Sequence, residues 1–270
     1  MEEVYFSKYQ GAGNDFVLVD DRSLFFPISD LTLIKRLCHR HFGIGADGLI
    51  LWQPSGKADV RMRIFNSDAS EPEMCGNGLR CLALFCKRHG WTKKEICIET
   101  KAGLFQCMIY DDKVGVVHEH LSSSYSCHSL LIENQKQEVH IVNSGVPHAI
   151  LFRNDLMEMD VEMQGRKIRL SPFFQPHGTN VNFAKKISPN QLLIRTYERG
   201  VEKETLACGT AVAAVAFAAH KAMYIKYPIE IIAASNEKFN ISLFSDIAIE
   251  VSGPAQWVFD GRLNLKRDIS

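Results

Sequence analysis

Hydrophobic positions along this chain keep switching between two rhythms. Val17-Leu18-Val19 and Leu49-Ile50-Leu51 are short apolar runs, and Arg61 to Phe65 alternates apolar with polar positions, the period of a half-buried strand. Between the first two runs, Leu31 to Arg40 carries its apolar residues at helical spacing. From Gly76 onward, Leu79, Leu82, Phe85 and Cys86 recur at roughly the helical period, and the run stops at His89-Gly90, a C-cap signal. Ile96 to Thr100, Leu104 to Ile109 and Val114 to Val117 then return to strand. The second half repeats the order, with short strands, a helix near Asp160 to Leu170, the strand-like Asn180-Val181-Asn182-Phe183 and a second long helical run from Gly209. Ala211 to Ala219 is apolar on all sides, which fits a helix buried all round. Ile229 to Ala233, Phe239 to Leu243 and Ile247 to Val251 read as further strands, and Gly253-Pro254-Ala255 closes the set. The pattern predicts an α+β fold of two similar domains, each a curved, mostly antiparallel sheet around a buried helix. The polar stretch Ser122-Ser123-Ser124-Tyr125-Ser126 marks the boundary, giving domains 1–121 and 122–257.

Each long helical run begins immediately after a cysteine, in Met74-Cys75-Gly76-Asn77-Gly78-Leu79-Arg80 and in Ala207-Cys208-Gly209-Thr210-Ala211. A thiol at a helix N-terminus lies where unpaired backbone N–H groups and the positive end of the macrodipole stabilise a thiolate. Helix termini and nearby cations lower a thiol pKa from about 8.5 into a range of about 3.5 to 7.5, so thiolate is available near neutral pH. Two such thiols, one per half, suit a reaction with two bases: one group takes a proton from one face of a carbon while the other supplies one to the opposite face. The α-proton of an amino acid is far less acidic than a thiol, so the developing charge needs its own stabilisation. The N–H groups of Gly76, Asn77, Gly209 and Thr210 are suited to hold a carboxylate as it gains enediolate character. A pair of merely structural thiols would not call for the flexible Gly-Asn-Gly and Gly-Thr that follow them.

Taken with Gly11-Ala12-Gly13-Asn14-Asp15-Phe16 and Tyr197-Glu198-Arg199-Gly200, these motifs run in one order over nearly the whole chain. In that order they resemble the diaminopimelate epimerase family, pyridoxal-independent isomerases of lysine and peptidoglycan-precursor biosynthesis that interconvert LL- and meso-diaminopimelate. The resemblance implies an interdomain cleft with Cys75 and Cys208 on opposite faces of the substrate, and a C-terminal segment, 258–270, returning to the first domain. It casts Cys208 as proton acceptor and Cys75 as donor in one direction. Asn14, Asn66 and Asn180 match the family's substrate amides, which accept from an ammonium and donate to a carboxylate without adding net charge. Arg199 matches the fork on the distal carboxylate, Glu198 a contact for the distal ammonium that also adjusts a nearby cysteine, and His148 a histidine that tunes cysteine protonation. Two positions depart from the pattern: Gly48 follows Asp47 where many members carry glutamine, and Val146 stands in Gly145-Val146-Pro147-His148 where many have asparagine. Both remove a polar contact to the distal part of the substrate, so reaction type is the firmer expectation and substrate identity the looser one.

Composition narrows the alternatives. With 270 residues, 46% hydrophobic and 23% charged, and 31 basic against 31 acidic side chains, the chain has the make-up of a soluble enzyme with no global attraction to nucleic acid or anionic membrane. The start, Met1-Glu2-Glu3-Val4-Tyr5-Phe6, has neither the basic nor the apolar part of a signal peptide, which predicts a cytosolic protein. Its 8 cysteines are then expected as reduced thiols. With no Cys-x-x-Cys and no histidine pair at zinc spacing, no metal is expected, nor is any other cofactor, and Cys38, Cys81, Cys86, Cys97 and Cys107 read as core residues. Gly43-Ile44-Gly45-Ala46-Asp47-Gly48 satisfies a dinucleotide fingerprint, but a helix precedes it and a strand follows, the reverse of the required context. The groups His39-Arg40-His41 and His118-Glu119-His120 read as surface residues. A proline-type or glutamate racemase would use the same two thiols, although a proline racemase has no evident use for Glu198-Arg199. A thiol redox switch or a binding module would exchange no α-proton. The assembly state, a homodimer included, is left open.

Overall fold

The computed structural model describes residues 3–111, 113–119, 121, 125–132, 135–223, 225–245 and 248–264. The chain divides into two compact units, one running up to Val116 and rejoined by the segment from Pro254, the other Val117–Gly253. Each follows the same strand plan.

In the first unit, Glu3–Gly11 and Asn14–Asp20 form an antiparallel pair. Helix α1, Leu31–Cys38, carries the chain over to Gly48–Gln53, which lies parallel to Asn14–Asp20. Val60–Asn66 returns antiparallel, and helix α2, Gly76–Arg88, crosses to Glu95–Thr100, parallel to Val60–Asn66. Gly103–Ile109 and Val114–Glu119 continue the antiparallel meander. Gln256–Asn264 pairs antiparallel with Glu3–Gly11. Parallel neighbours cannot be joined by a tight hairpin, which is why helices fall at these two connections.

The second unit repeats the sequence of steps. Ser126–Ile132, Gln135–Asn143 and Pro147–Phe152 pair antiparallel in turn. Helix α3, Val161–Arg169, crosses to Asn180–Ser188, parallel to Pro147–Phe152. Gln191–Glu198 returns antiparallel with the short Lys203–Thr205 beside it, and helix α4, Gly209–Met223, crosses to Ile229–Ile232, parallel to Gln191–Glu198. Lys238–Ser245 and Ala248–Gly253 follow antiparallel. The expected α+β architecture of two similar units is therefore the one observed.

The crossovers differ in burial according to their sequences. α1 and α3 are amphipathic, each N-capped by an aspartate: Asp30 accepts from Leu33 N–H and Asp160 from Met163 N–H, both at 2.9 Å. α2 and α4 are the buried ones. Leu79, Cys81, Leu82, Phe85 and Cys86 of α2 join Ile50, Ile64, Ile98 and Val116 in one core, and every residue of α4 from Gly209 to Ala219 is buried. Gly78 packs α2 closely on the sheet: a Cβ there would lie 3.1 and 3.2 Å from the terminal methyls of Ile50 and Ile64, which would have to shift by a few tenths of an ångström.

Several details differ from the sequence reading. α1 stops at Cys38 rather than Arg40, because the Ile44 and Gly45 N–H groups turn back onto the Leu37 carbonyl at 3.0 and 3.1 Å. Glu3–Gly11 and Gln256–Asn264 are strands where none was expected, so Gly253-Pro254-Ala255 does not close the set. His120, Ser122 to Ser124 and Ile247 lie outside the described residues.

Candidate active site

Both cysteines singled out in the sequence stand immediately before the buried crossover helix of their unit. Cys75 is the N-cap of α2, extended at φ −146° and ψ 119°, and its side chain makes no capping bond. The sulfur is half-buried and donates to Asn14 Oδ1 at 3.7 Å. That same oxygen accepts from Asn77 Nδ2 at 3.2 Å. The orientation of the two amides is forced from their outer ends. Asn14 Nδ2 donates to the Asp47 carboxylate at 2.9 Å, a group that can only accept, and Asn77 Oδ1 accepts at 2.6 Å from Arg80, a group that can only donate. Both constraints agree, and they leave an amide carbonyl facing the Cys75 sulfur.

Arg80 is a component that sequence reasoning passed over. Its side chain is 1% exposed within α2 and its Nε also donates to the Pro254 carbonyl at 3.2 Å. Burial lowers its pKa, opposed by the nearby thiols of Cys81, Cys75 and Cys107. The signal was a basic residue embedded in an otherwise apolar helical run. Asp47 is held in turn by Arg40 at 2.7 Å, and Arg40 also grips Asp15, which pairs with Lys8 at 2.7 Å. Burial alone would raise the Asp15 pKa, but the hydrogen bonds from Arg40 and Lys8 hold it down at about 2. Asn14 therefore sits on a fixed ionic base. Cys81 and Cys107 are buried core thiols, each pushed up to about 12 by burial.

Asn66 closes its strand with its amide donating to Ser70 Oγ at 2.9 Å, within the turn around Ala69. Gly48 has a steric reason. A Cβ there would lie 2.5 Å from the Phe65 carbonyl on the neighbouring strand, so this backbone admits no side chain. The missing amide at this position follows from strand packing.

In the second unit, Cys208 is half-buried and its sulfur lies 3.2 Å from Thr210 Oγ1 in the first turn of α4. Ser144 Oγ donates to the Thr210 carbonyl at 2.8 Å, tying the Asn143 to Val146 loop to that turn. His148, two residues further on, is 0% exposed. Its Nδ1 faces Asn182 Nδ2 at 3.1 Å, and the same Nδ2 donates to the Ala149 carbonyl at 3.1 Å. Nδ1 is therefore an acceptor, which assigns the neutral ring its proton on Nε2, an atom with no hydrogen-bond partner among the described residues. Burial, reinforced by the charge of Arg199, pushes the His148 pKa down to about 3.

Asn180 is occupied at both ends, accepting from Arg199 N–H at 2.9 Å and donating to the Pro147 carbonyl at 3.3 Å, so it fixes Arg199 against the His148 strand. Arg199 Nη1 donates to the His177 carbonyl at 3.2 Å. Burial raises the Glu198 pKa, and Glu198 is half-buried at the strand end. Gly209 and Thr210 form the buried first turn of α4. The structure thus gathers Asn14, Cys75, Gly76 and Asn77 in the first unit, and in the second places His148, Asn180 and Glu198-Arg199 on or at the end of three successive neighbouring strands, with Cys208, Gly209 and Thr210 at the start of α4. Asn66 pairs across the sheet with Gly48, the residue after Asp47, and Val146 stands two residues before His148.

Two copies of one strand plan, each with two helical crossovers, form a fold seen in several solved structures. The fold matches a PhzF-family phenazine biosynthesis protein of Bacillus anthracis with a TM-score of 0.73 at 14% identity, covering 97% of this chain and 99% of that one. A probable proline racemase of Agrobacterium radiobacter matches with a TM-score of 0.70 at 13% identity, covering 97% and 93%. Sequence comparison narrows this class. The family model for diaminopimelate epimerase matches residues 6–120 and 140–258. The diaminopimelate epimerase of Flavobacterium psychrophilum is 37% identical over 94% of this chain and 97% of its own, and that of a Hydrogenobaculum species 39% identical over 96% and 98%. The chain belongs to the diaminopimelate epimerase family.

Proposed function

We propose that this protein interconverts LL- and meso-diaminopimelate by moving the α-proton between two thiols, Cys75 and Cys208. The observation that carries the reading is the repetition: the same crossover in each unit ends in a cysteine at the N-terminus of a buried helix. In one direction the Cys208 thiolate takes the α-proton and becomes a thiol, and the released electron pair moves into the α-carboxylate as an enediolate. The Cys75 S–H then gives its proton to the opposite face and is left as thiolate. The reverse direction exchanges the roles, and no proton is gained or lost overall. First-turn N–H groups at Gly76, Asn77, Gly209 and Thr210 are the donors for the enediolate.

Asn14 has its polarity fixed and so offers the substrate a defined face. Asn66 supplies a second amide at the end of its strand. Arg199, held by Asn180 through its backbone, is the fork for the distal carboxylate. Glu198 takes the distal ammonium, and His148, a neutral donor at Nε2, adjusts cysteine protonation from within the second unit. A cytosolic location belongs to this reading, since catalysis needs both thiols reduced and all eight cysteines are free in the structure. No described helix is long and apolar enough to cross a membrane.

The test is α-proton exchange. Incubated with LL-diaminopimelate in deuterium oxide, the protein is expected to place deuterium at the α-carbon while forming the meso isomer. Formation of neither exchanged nor epimerised product would defeat the assignment.

A further inference from the structure

Away from the cysteine helices, the strands Ser126–Ile132 and Gln135–Asn143 place Cys127 directly opposite His140. Glu138 is two positions before His140, so strand alternation brings Cys127, Glu138 and His140 to one face. One ligand atom from each, a thiol sulfur, a carboxylate oxygen and a ring nitrogen, lie within 4.8 Å of one another, the only such group of three or more among the described residues. The two that already touch are His140 Nε2 and Glu138 Oε1, at 3.1 Å.

The imidazole is held for this role. Its side chain is 3% exposed, the Tyr125 ring stacks on it with centroids 6.1 Å apart, and Phe152 meets it edge-on at 5.2 Å. Tyr125 Oη lies 3.1 Å from Nδ1, which leaves Nε2 for the carboxylate and the thiol. Metal-bound histidines characteristically have an oxygen partner on the other ring nitrogen, which fixes the tautomer and the ring. Burial lowers the His140 pKa against the opposing charge of Glu138, favouring the neutral ring that a cation binds. Lys136 is the next charged side chain along the same face of its strand.

We propose that Cys127, Glu138 and His140 form a binding site for a zinc-class divalent cation, with three protein ligands and water in the fourth position. A tetrahedral ion with ligand distances of about 2.0 to 2.3 Å needs its ligands about 3.3 to 3.7 Å apart. The nitrogen and oxygen are close to that spacing, and the sulfur reaches it by a rotation of the exposed Cys127 side chain or of Glu138, whose side chain is 71% exposed. Binding releases one proton, that of the Cys127 thiol, and leaves the carboxylate and imidazole as they are. The ion would clip the two strands together beneath Tyr125, whose ring also packs edge-on against Phe217 of α4. It takes no part in the proton transfer at Cys75 and Cys208.

The full-length protein with Cys75→Ser and Cys208→Ser, which removes the other half-exposed helix-end thiols, is titrated with cobalt(II) and followed in the near ultraviolet. One equivalent is expected to produce a thiolate-to-cobalt charge-transfer band that zinc abolishes. Adding Cys127→Ser should remove the band, His140→Gln should weaken binding by at least about 100-fold, and Tyr125→Phe by about 10- to 100-fold. Cys127 is at the surface, so its serine variant folds and decides the matter even where His140→Gln does not. A band that survives Cys127→Ser at unchanged affinity, or half-saturation above about 100 µM, overturns the proposal.

Discussion

His148 should make the second unit acid-sensitive. The ring is fully buried and neutral, its Nδ1 used as an acceptor, with Arg199 and His118 adding positive charge nearby, and its pKa falls from 6.5 to about 3. In the unfolded chain the same histidine returns to about 6.5. A depressed folded pKa means that below the unfolded value the unfolded state binds the extra proton, so the stabilising contribution is complete above pH 6.5 and is lost as pH falls toward 3. Linkage gives a loss of about 2 kcal/mol between pH 7 and pH 5, rising to about 4.5 kcal/mol near pH 3. The control is His148→Gln, which keeps a polar side chain but cannot titrate.

Urea unfolding at pH 7 and pH 5 should show the wild type losing about 2 kcal/mol more than the variant over that interval, because all other histidines are common to both. The probe must be far-ultraviolet circular dichroism, since the 3 tryptophans, Trp52, Trp91 and Trp257, all lie in the first unit. Ring C–H shifts followed by NMR should show no protonation of His148 down to pH 4. Equal pH dependence in the two proteins, or a His148 resonance titrating near its ordinary value, would refute the reasoning.

Replacing either Cys75 or Cys208 by alanine should cost several orders of magnitude in epimerisation, as expected for groups that act as a unit; retention of more than about a tenth of activity, roughly 1.4 kcal/mol of barrier, would show the pair is misassigned. Gly48→Gln should destabilise the first unit by about 1 to 3 kcal/mol through overpacking against Phe65, read from Trp52 fluorescence during unfolding, and an unchanged midpoint would remove the steric account. With Val146 in place of an amide, the enzyme should slowly racemise L-glutamate, measured as D-glutamate by chiral chromatography; the idea ends if Cys75→Ala gives the same signal. Iodoacetamide at neutral pH should alkylate Cys208 before Cys75, as mapped by peptide mass spectrometry, and the reverse order would contradict the oriented Asn14 carbonyl.

The first long helix was legible because its apolar positions keep a helical period from a cysteine and glycine turn to a clear stop, and the second because an unbroken apolar run follows the same kind of turn. Repetition of the strand order between halves was visible for the same reason. Glu3–Gly11 and Gln256–Asn264 were not, and the cause is physical. The first is buried on both faces at Ser7, Lys8 and Tyr9, with Lys8 neutralised by Asp15, so its centre does not alternate; the second is exposed at six of its nine positions and fully buried at none, so no buried face reveals it. Gln256–Asn264 is held as a strand by pairing with Glu3–Gly11, a contact between distant parts of the chain that no local window contains. The site followed the same division. Cysteines, amides and the Glu198-Arg199 pair announce themselves by type, whereas Asp47 and Arg80 act by fixing which end of an amide faces a sulfur, and that depends on contacts between separate elements. Gly48 carries a packing reason that the sequence did not show, the Phe65 carbonyl on the neighbouring strand.

The two thiols, alike in sequence setting, are unlike in their first polar neighbour. Cys75 faces a carbonyl that Asp47 and Arg80 prevent from rotating, and a carbonyl oxygen can accept from a thiol but repels a thiolate. Cys208 faces the Thr210 hydroxyl, which can turn to donate and so accommodates a thiolate. A hydrogen bond to one protonation form shifts the balance toward that form, and a net value of about 0.5 to 1.5 kcal/mol for each contact is enough to bias a proton shared between two groups of equal intrinsic acidity by roughly 2- to 13-fold. The helix N-terminus beside each sulfur favours thiolate at both, so it does not choose between them; the local acceptor and donor do. On the proposed two-base reading the resting enzyme holds one thiol and one thiolate, and these two contacts favour the proton on Cys75. LL-diaminopimelate and its meso isomer present the reacting hydrogen on opposite faces, so the resting assignment favours one direction of entry, and the enzyme must relocate a proton between the cysteines before it can begin a turnover from the other.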